Sequence, residues 1–181
     1  TAWMKMQLEE AKKQGVTVIP VSHHNLLDES TLYPEECTIE NTKEVTALLE
    51  AYGVPVYLSG HLHLQRIKKH TSNLNTPGGY GIREIVTSPL PMAPCQYSIL
   101  NWQADGSLSY HTKKVDIAGW AQRYGEEDEN LLNFDTYADQ FLVDVISEQA
   151  FKALQSASKD IKEEMARLYA CLLYTSPSPR D

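Results

Sequence analysis

From Val54 to Leu58 the chain runs Val-Pro-Val-Tyr-Leu, then breaks at Ser59-Gly60 into His61-Leu62-His63, and this stretch limits what the remaining residues can build. On an extended strand alternate side chains share a face and the backbone rises about 3.3 Å per residue. His61 and His63 are therefore expected to project together, about 6.6 Å apart along the backbone, with Leu62 turned away. Two imidazoles so placed can clasp a metal ion. Gly60 suits a strand that ends close to a ligand, because backbone and ligand can approach where no side chain intervenes.

A second histidine pair ends a second apolar run. Val16 to Val21 is short and rich in β-branched residues, which predicts a strand buried on both faces, and it leads into Ser22-His23-His24-Asn25. Between the two runs, Asn41 to Tyr52 carries Val45, Leu48 and Leu49 at helical spacing and stops at Gly53. Strand, helix, strand is a crossover that makes the two strands parallel and puts their carboxyl ends on one edge of the sheet. His23 is thereby expected to face the neighbourhood of His61 and His63, where open α/β sheets bind ligands. His24 alternates to the other face. It and Asn25 are candidates for orienting a ligand or touching substrate, with Gly60 beside them. His70 and His111 lie in polar sequence and read as ordinary surface residues.

The other segments follow from periodicity and turn residues. Ala2 to Gln14 predicts a surface helix with Trp3, Met6, Leu8 and Ala11 on its apolar side and Gly15 as its stop. Leu26 to Thr38, with Tyr33 and the acids Asp28, Glu29, Glu35 and Glu36, reads as a long loop bordering a site. Lys68 to Gly81 reads as a loop, and Ile82 to Thr87 as a further strand. Tyr97 to Trp102 and Ser107 to Val115 predict a hairpin around Ala104-Asp105-Gly106. Phe134, Tyr137, Phe141, Leu142 and Val145 recur at helical spacing, and Ile161, Met165 and Leu168 predict a second amphipathic helix.

Net charge of −8 argues against a nucleic-acid polymer as partner, and the largest basic cluster is the short Arg66 to Lys69 run. No run of about eighteen apolar residues, the length that spans a membrane, occurs in the sequence, so a soluble chain is expected, with the cytoplasm weakly favoured and oligomeric state open. Thr1 opens directly into helix-like sequence, from which an upstream portion is expected to be missing. Residues 171–181, from Cys171 to Asp181, resemble a sequencing adapter translated in frame and are expected to be a non-native disordered tail. Setting them aside leaves Cys37 and Cys95, whose separation indicates neither a zinc knuckle nor a disulfide framework. Residues 1–124 read as one domain portion and 125–170 as a helical appendage, joined through the acidic stretch from Gly125 to Asn130.

Val18-Ile19-Pro20-Val21-Ser22-His23-His24 followed by Tyr57-Leu58-Ser59-Gly60-His61-Leu62-His63 resembles the last two motifs of the calcineurin-like metallophosphoesterases. The resemblance covers about residues 1–120, and Gly-His-x-His is its most specific part. It implies a layered α/β/β/α sandwich, here followed by the helical appendage, with a dinuclear metal site of Mn, Fe or Zn at the carboxyl edge of its sheets. By that pattern His23 and His61 would ligate one metal and His63 the other. The implied activity is hydrolysis of a small phosphomono- or phosphodiester by a two-metal-activated hydroxide.

The earlier motifs of that family, Asp-x-His, Gly-Asp-x-x-Asp and Gly-Asn-His followed by an acid, do not occur in the chain. The expected proton-donor histidine would lie with them, so no catalytic residue is assigned and the chain alone is expected to be inactive. Metallo-β-lactamase chemistry is disfavoured because Gln65 and Arg66 stand where that motif needs Asp and His. An amidohydrolase barrel would require further βα units downstream. The alternative is a catalytically dead scaffold or interaction domain.

Overall fold

Gly15, in the left-handed region at φ 67°, ends the first helix, α1 (Ala2–Gln14), and its amide N–H turns back to the carbonyls of the last turn. The computed structural model describes residues 1–27, 37–70, 81–153, 160, 161 and 163. These divide into two units, residues 1–87 and residues from Ser88 onward. Helix α1 buries Leu8, with Met4 and Ala11 half-buried beside it at helical spacing, while Trp3 and Met6 are exposed. The inward stripe is Met4, Leu8 and Ala11, because positions four and three apart share a helical face, so of the expected apolar side Leu8 and Ala11 turn inward and Trp3 and Met6 do not.

The expected strand from Val16 to Val21 is reduced to one parallel bridge to the sheet, Val21 to Leu58. Ser22 N–H donates to the Leu58 carbonyl and Leu58 N–H to the Pro20 carbonyl, each at 3.0 Å. Pro20 carries no N–H to lengthen the ladder, and Val16, Ile19 and Val21 are exposed instead of buried on both faces. The parallel relation inferred from the crossover nevertheless holds. Helix α2 (Thr42–Ala51) buries Val45 and Leu49, as its spacing requires, and Glu44 in its first turn complements the helix dipole.

Strand β1 (Val56–Ser59) pairs in parallel with β3 (Ile82–Val86), and β2 (Arg66–His70) pairs antiparallel with β3 on its other side, giving the order β1-β3-β2. β2 occupies part of what the sequence suggested was loop. Its pattern Arg-Ile-Lys-Lys-His is polar, yet Lys68 is completely buried. Leu8, Leu26, Leu27, Val45, Leu49, Val54, Tyr57 and Ile82 form the core of this unit. Of the loop from Leu26 to Thr38, Leu26 and Leu27 lie in that core. Tyr33 and the acids Asp28, Glu29, Glu35 and Glu36 fall outside the described residues.

In the second unit β4 (Gln96–Trp102) and β5 (Leu108–Lys114) form the hairpin expected around Asp105-Gly106. Gly106, at φ 83°, supplies the left-handed turn conformation, and Asp105 accepts from the Ser107 N–H at 2.9 Å. Helix α3 (Ile117–Tyr124) is capped by Asp116, which accepts from the Gly119 N–H at 2.9 Å. A Cβ at Gly119 would collide with the capping carboxylate, which would have to shift to make room. The short α4 (Glu129–Leu132) begins within the acidic stretch and runs past it, and α5 (Phe134–Ala153) follows. α5 buries Ala138, Leu142 and Ile146 and exposes Tyr137 and Phe141, so the core stripe lies beside the aromatic one.

These elements make the chain a mixed α/β protein. The layered α/β/β/α sandwich is a finer expectation that the five described strands do not themselves display. Ile161 has helical backbone, whereas Met165, Leu168 and residues 171–181 lie outside the described residues. Among the described residues no helix is long and apolar enough to cross a membrane.

Candidate functional site

Both histidine segments leave the same edge of the first unit. β1 ends at Ser59, and the residues after it are not an extended strand: His61 has φ 64° and His63 φ 55°. Leu62 N–H donates to the Gly60 carbonyl at 2.7 Å, closing a three-residue turn about His61. The simple alternation expected of His61 and His63 is therefore replaced by two left-handed positions. Non-glycine residues held there cost about 1–2 kcal/mol each, and such strain gathers at functional sites. Gly60 is not the strained residue. A Cβ there would meet only the His23 and Thr87 carbonyls, at 3.9 Å, which is ordinary contact.

The parallel bridge brings the two segments together. Gly60 N–H donates to the His23 carbonyl at 3.1 Å, and His61 Nδ1 lies 3.1 Å from His23 Nε2. The His24 ring centroid is 4.5 Å from that of His61 and 5.3 Å from that of His23, so three imidazoles meet at one edge. His24 is held from behind: Tyr57 OH donates to Ser22 Oγ at 2.8 Å, and Ser22 Oγ donates to the His24 carbonyl. Burial pushes the Tyr57 phenol above its ordinary value; the bond with Ser22 opposes this and the Glu84 carboxylate reinforces it. His63 is exposed, two residues beyond His61.

Burial pulls the His61 imidazole below its ordinary value, and the charges of His24, His23 and His63 act in the same direction. The folded chain thus binds fewer protons at this ring than the unfolded chain does, and stability falls as pH drops from about 6.5 through the lowered folded value. Thermal melts at pH 7.5 and 5.5 should show the lower midpoint at pH 5.5. A chain without the His61 imidazole should lose that part of the difference.

Two nitrogens bound to one tetrahedral zinc at about 2.0–2.1 Å would be roughly 3.3–3.4 Å apart, close to the observed His23–His61 spacing. The pair can thus either share a proton or, with slight relaxation, share a cation. Among the described residues no three His, Cys, Asp or Glu side chains converge tightly enough for a closed metal site. Two ligands from this edge would leave the remaining positions to solvent or substrate. A groove of about 270 Å³ lined by α1 and the residues around Gly53 contains none of the histidines and is not part of this arrangement.

Below the histidines lies a buried polar cluster that the sequence did not reveal. Glu84, central in β3, accepts from Leu26 N–H at 2.7 Å, Leu27 N–H at 2.6 Å and Ser59 Oγ at 2.5 Å. Lys68, its cross-strand partner in β2, sits 3.7 Å away and donates to the Leu27 carbonyl at 2.5 Å and to Asn25 Oδ1 at 3.2 Å. Asn25 in turn donates to Ser59 Oγ at 2.9 Å and to the Gly60 carbonyl at 3.1 Å. Its amide is committed to the protein interior. The signal was a carboxylate between Ile82 and Val86 on the buried face of an apolar strand, a position a charge takes only when paired. His70 closes β2, half-exposed and 3.5 Å from Glu50, and His111 is exposed on β5.

No curated protein matches the chain. A family match falls on residues 116–174, about a third of the chain, and begins at the Asp116 cap and takes in α3, α4 and α5. It overturns the resemblance to the calcineurin-like metallophosphoesterases, because the matched family is a different one. The overturned resemblance rested on two short histidine motifs, which fix few positions, whereas the match spans one continuous stretch of sequence. Through that segment the chain is similar to the C-terminal domain of cyclic nucleotide phosphodiesterase.

Proposed function

We propose that the chain serves metal-dependent hydrolysis of a small phosphodiester at the edge formed by His23, His24 and His61. The observation that carries this reading is the 3.1 Å approach of His61 Nδ1 to His23 Nε2, with a third ring alongside. The similarity of residues 116–174 to the phosphodiesterase C-terminal domain supports the choice of bond. His23 and His61 would hold one cation, Mn, Fe or Zn, and His63 on the same loop would face a second. A bound cation would supply Lewis-acid polarisation of the phosphoryl oxygens. Burial pulls the His61 imidazole below its ordinary value, which favours a lone pair over a proton there, and exposed His24 would hydrogen-bond a substrate oxygen.

Titrating Zn²⁺ into the chain while following histidine ring signals by NMR tests the binding. Hydrolysis of bis-(p-nitrophenyl) phosphate with Mn²⁺ tests the chemistry. Selective shifts at His23 and His61 together with chelator-sensitive turnover are expected; unmoved rings would overturn the reading. The exposed Tyr137 and Phe141 on α5 favour a second reading as an interaction module, which would then stand.

A further inference from the structure

The two histidine loops stand on one buried cluster drawn from four places in the first unit: the segment after His24, the last residue of β1, and the middles of β2 and β3. Asn25, Lys68 and Glu84 are fully buried and Ser59 is 4% exposed. Each end of the cluster grips backbone next to a histidine. The Asn25 amide holds the Gly60 carbonyl, one residue before His61, and Glu84 holds the Leu26 and Leu27 N–H groups, just after His24.

We infer that the Asn25–Ser59–Lys68–Glu84 cluster is the positioning device that sets the His23–His61 spacing, which rests on the proposed role of those two imidazoles. The rings cannot hold that spacing by themselves. His23 is exposed, a hydrogen bond in water contributes only about 1 kcal/mol, and His61 sits in an unfavourable backbone region. The backbone bond from Gly60 N–H to the His23 carbonyl joins the loops, and the cluster beneath fixes how they sit, because every polar atom in it has a partner and rearrangement would break several buried polar contacts at once. Ser59 is the joint. Its hydroxyl accepts from Asn25 and donates to Glu84, so its removal cuts the side-chain link between the Asn25 amide and the Glu84 carboxylate with the smallest change in volume, leaving the Asn25–Gly60 and Gly60–His23 bonds as the direct ties between the loops.

The test is histidine ring NMR of the metal-free full chain, followed by Zn²⁺ titration of the same samples, for wild type, Ser59→Ala, Ser59→Thr and Asn25→Ala. In wild type the His23 and His61 ring nitrogens should show hydrogen-bonded shifts. Ser59→Ala should move both to free-imidazole values and weaken Zn²⁺ binding about 10–100-fold, and Ser59→Thr, which keeps the hydroxyl, should restore both. Asn25→Ala carries the same expectation if Ser59→Ala fails to fold. Wild-type ring shifts in folded Ser59→Ala and Asn25→Ala would overturn the positioning role. If wild type itself binds no Zn²⁺, the proposed function fails while the ring shifts still decide the positioning.

Discussion

Glu84→Met is expected to destabilise the first unit by about 3–5 kcal/mol, and Lys68→Met by less, about 2–3 kcal/mol. Removing Glu84 takes from buried Lys68 the carboxylate 3.7 Å away and strips the Leu26 and Leu27 N–H groups and the Ser59 hydroxyl of their acceptor. Removing Lys68 leaves a carboxylate that still receives three hydrogen bonds, which offsets much of its burial. The double variant should be more stable than the two single losses added together, because each single variant already loses the interaction between the two groups. The chain has two units, so one global unfolding free energy is a poor readout. Native-state amide hydrogen exchange at Ile85, in the central strand, reports the first unit directly. If Glu84→Met leaves Ile85 protection within about 0.5 kcal/mol of wild type, the cluster does not hold the unit together.

The same cluster shows why part of this fold could be read from sequence and part could not. Gly15, Gly53 and Asp105-Gly106 are local signals, and each ends or turns its element where expected. The crossover from Val21 to Leu58 was legible because handedness and direction follow from element order. Strand β2 was not, since Arg66-Ile67-Lys68-Lys69-His70 looks like a solvated basic run until Lys68 is placed opposite Glu84. That register is a long-range fact with no trace in local composition. The conformation of His61 and His63 was misjudged for a related reason. Alternation assumes that the strand continues, and here it ends at Ser59, before the first histidine. On α5 the periodic set Phe134, Tyr137, Phe141, Leu142 and Val145 marked a helix, but hydrophobicity alone does not choose between adjacent stripes, and Leu142 is buried with Ala138 and Ile146 while Tyr137 and Phe141 are exposed.

His61→Asn should separate binding from folding most sharply. Asparagine tolerates the left-handed region better than histidine, so the variant should be as stable as wild type or more stable by up to about 1 kcal/mol. It nevertheless removes the ring nitrogen that faces His23 Nε2, and the proposed cation site is left with one imidazole in place of the pair. Replacing residues that merely orient ligands typically costs 10–100-fold in metal affinity, so losing a ligand should weaken Zn²⁺ binding by more than about 100-fold. Metal-dependent hydrolysis of bis-(p-nitrophenyl) phosphate should fall to background with it. His23→Ala should match it in binding and gain nothing in stability, since no strained backbone at His23 is relieved. Greater stability with lost binding would mean that the strain at His61 is maintained for the sake of the site. Unchanged Zn²⁺ affinity in His61→Asn would mean that the close approach of the two rings is only a hydrogen bond between loops.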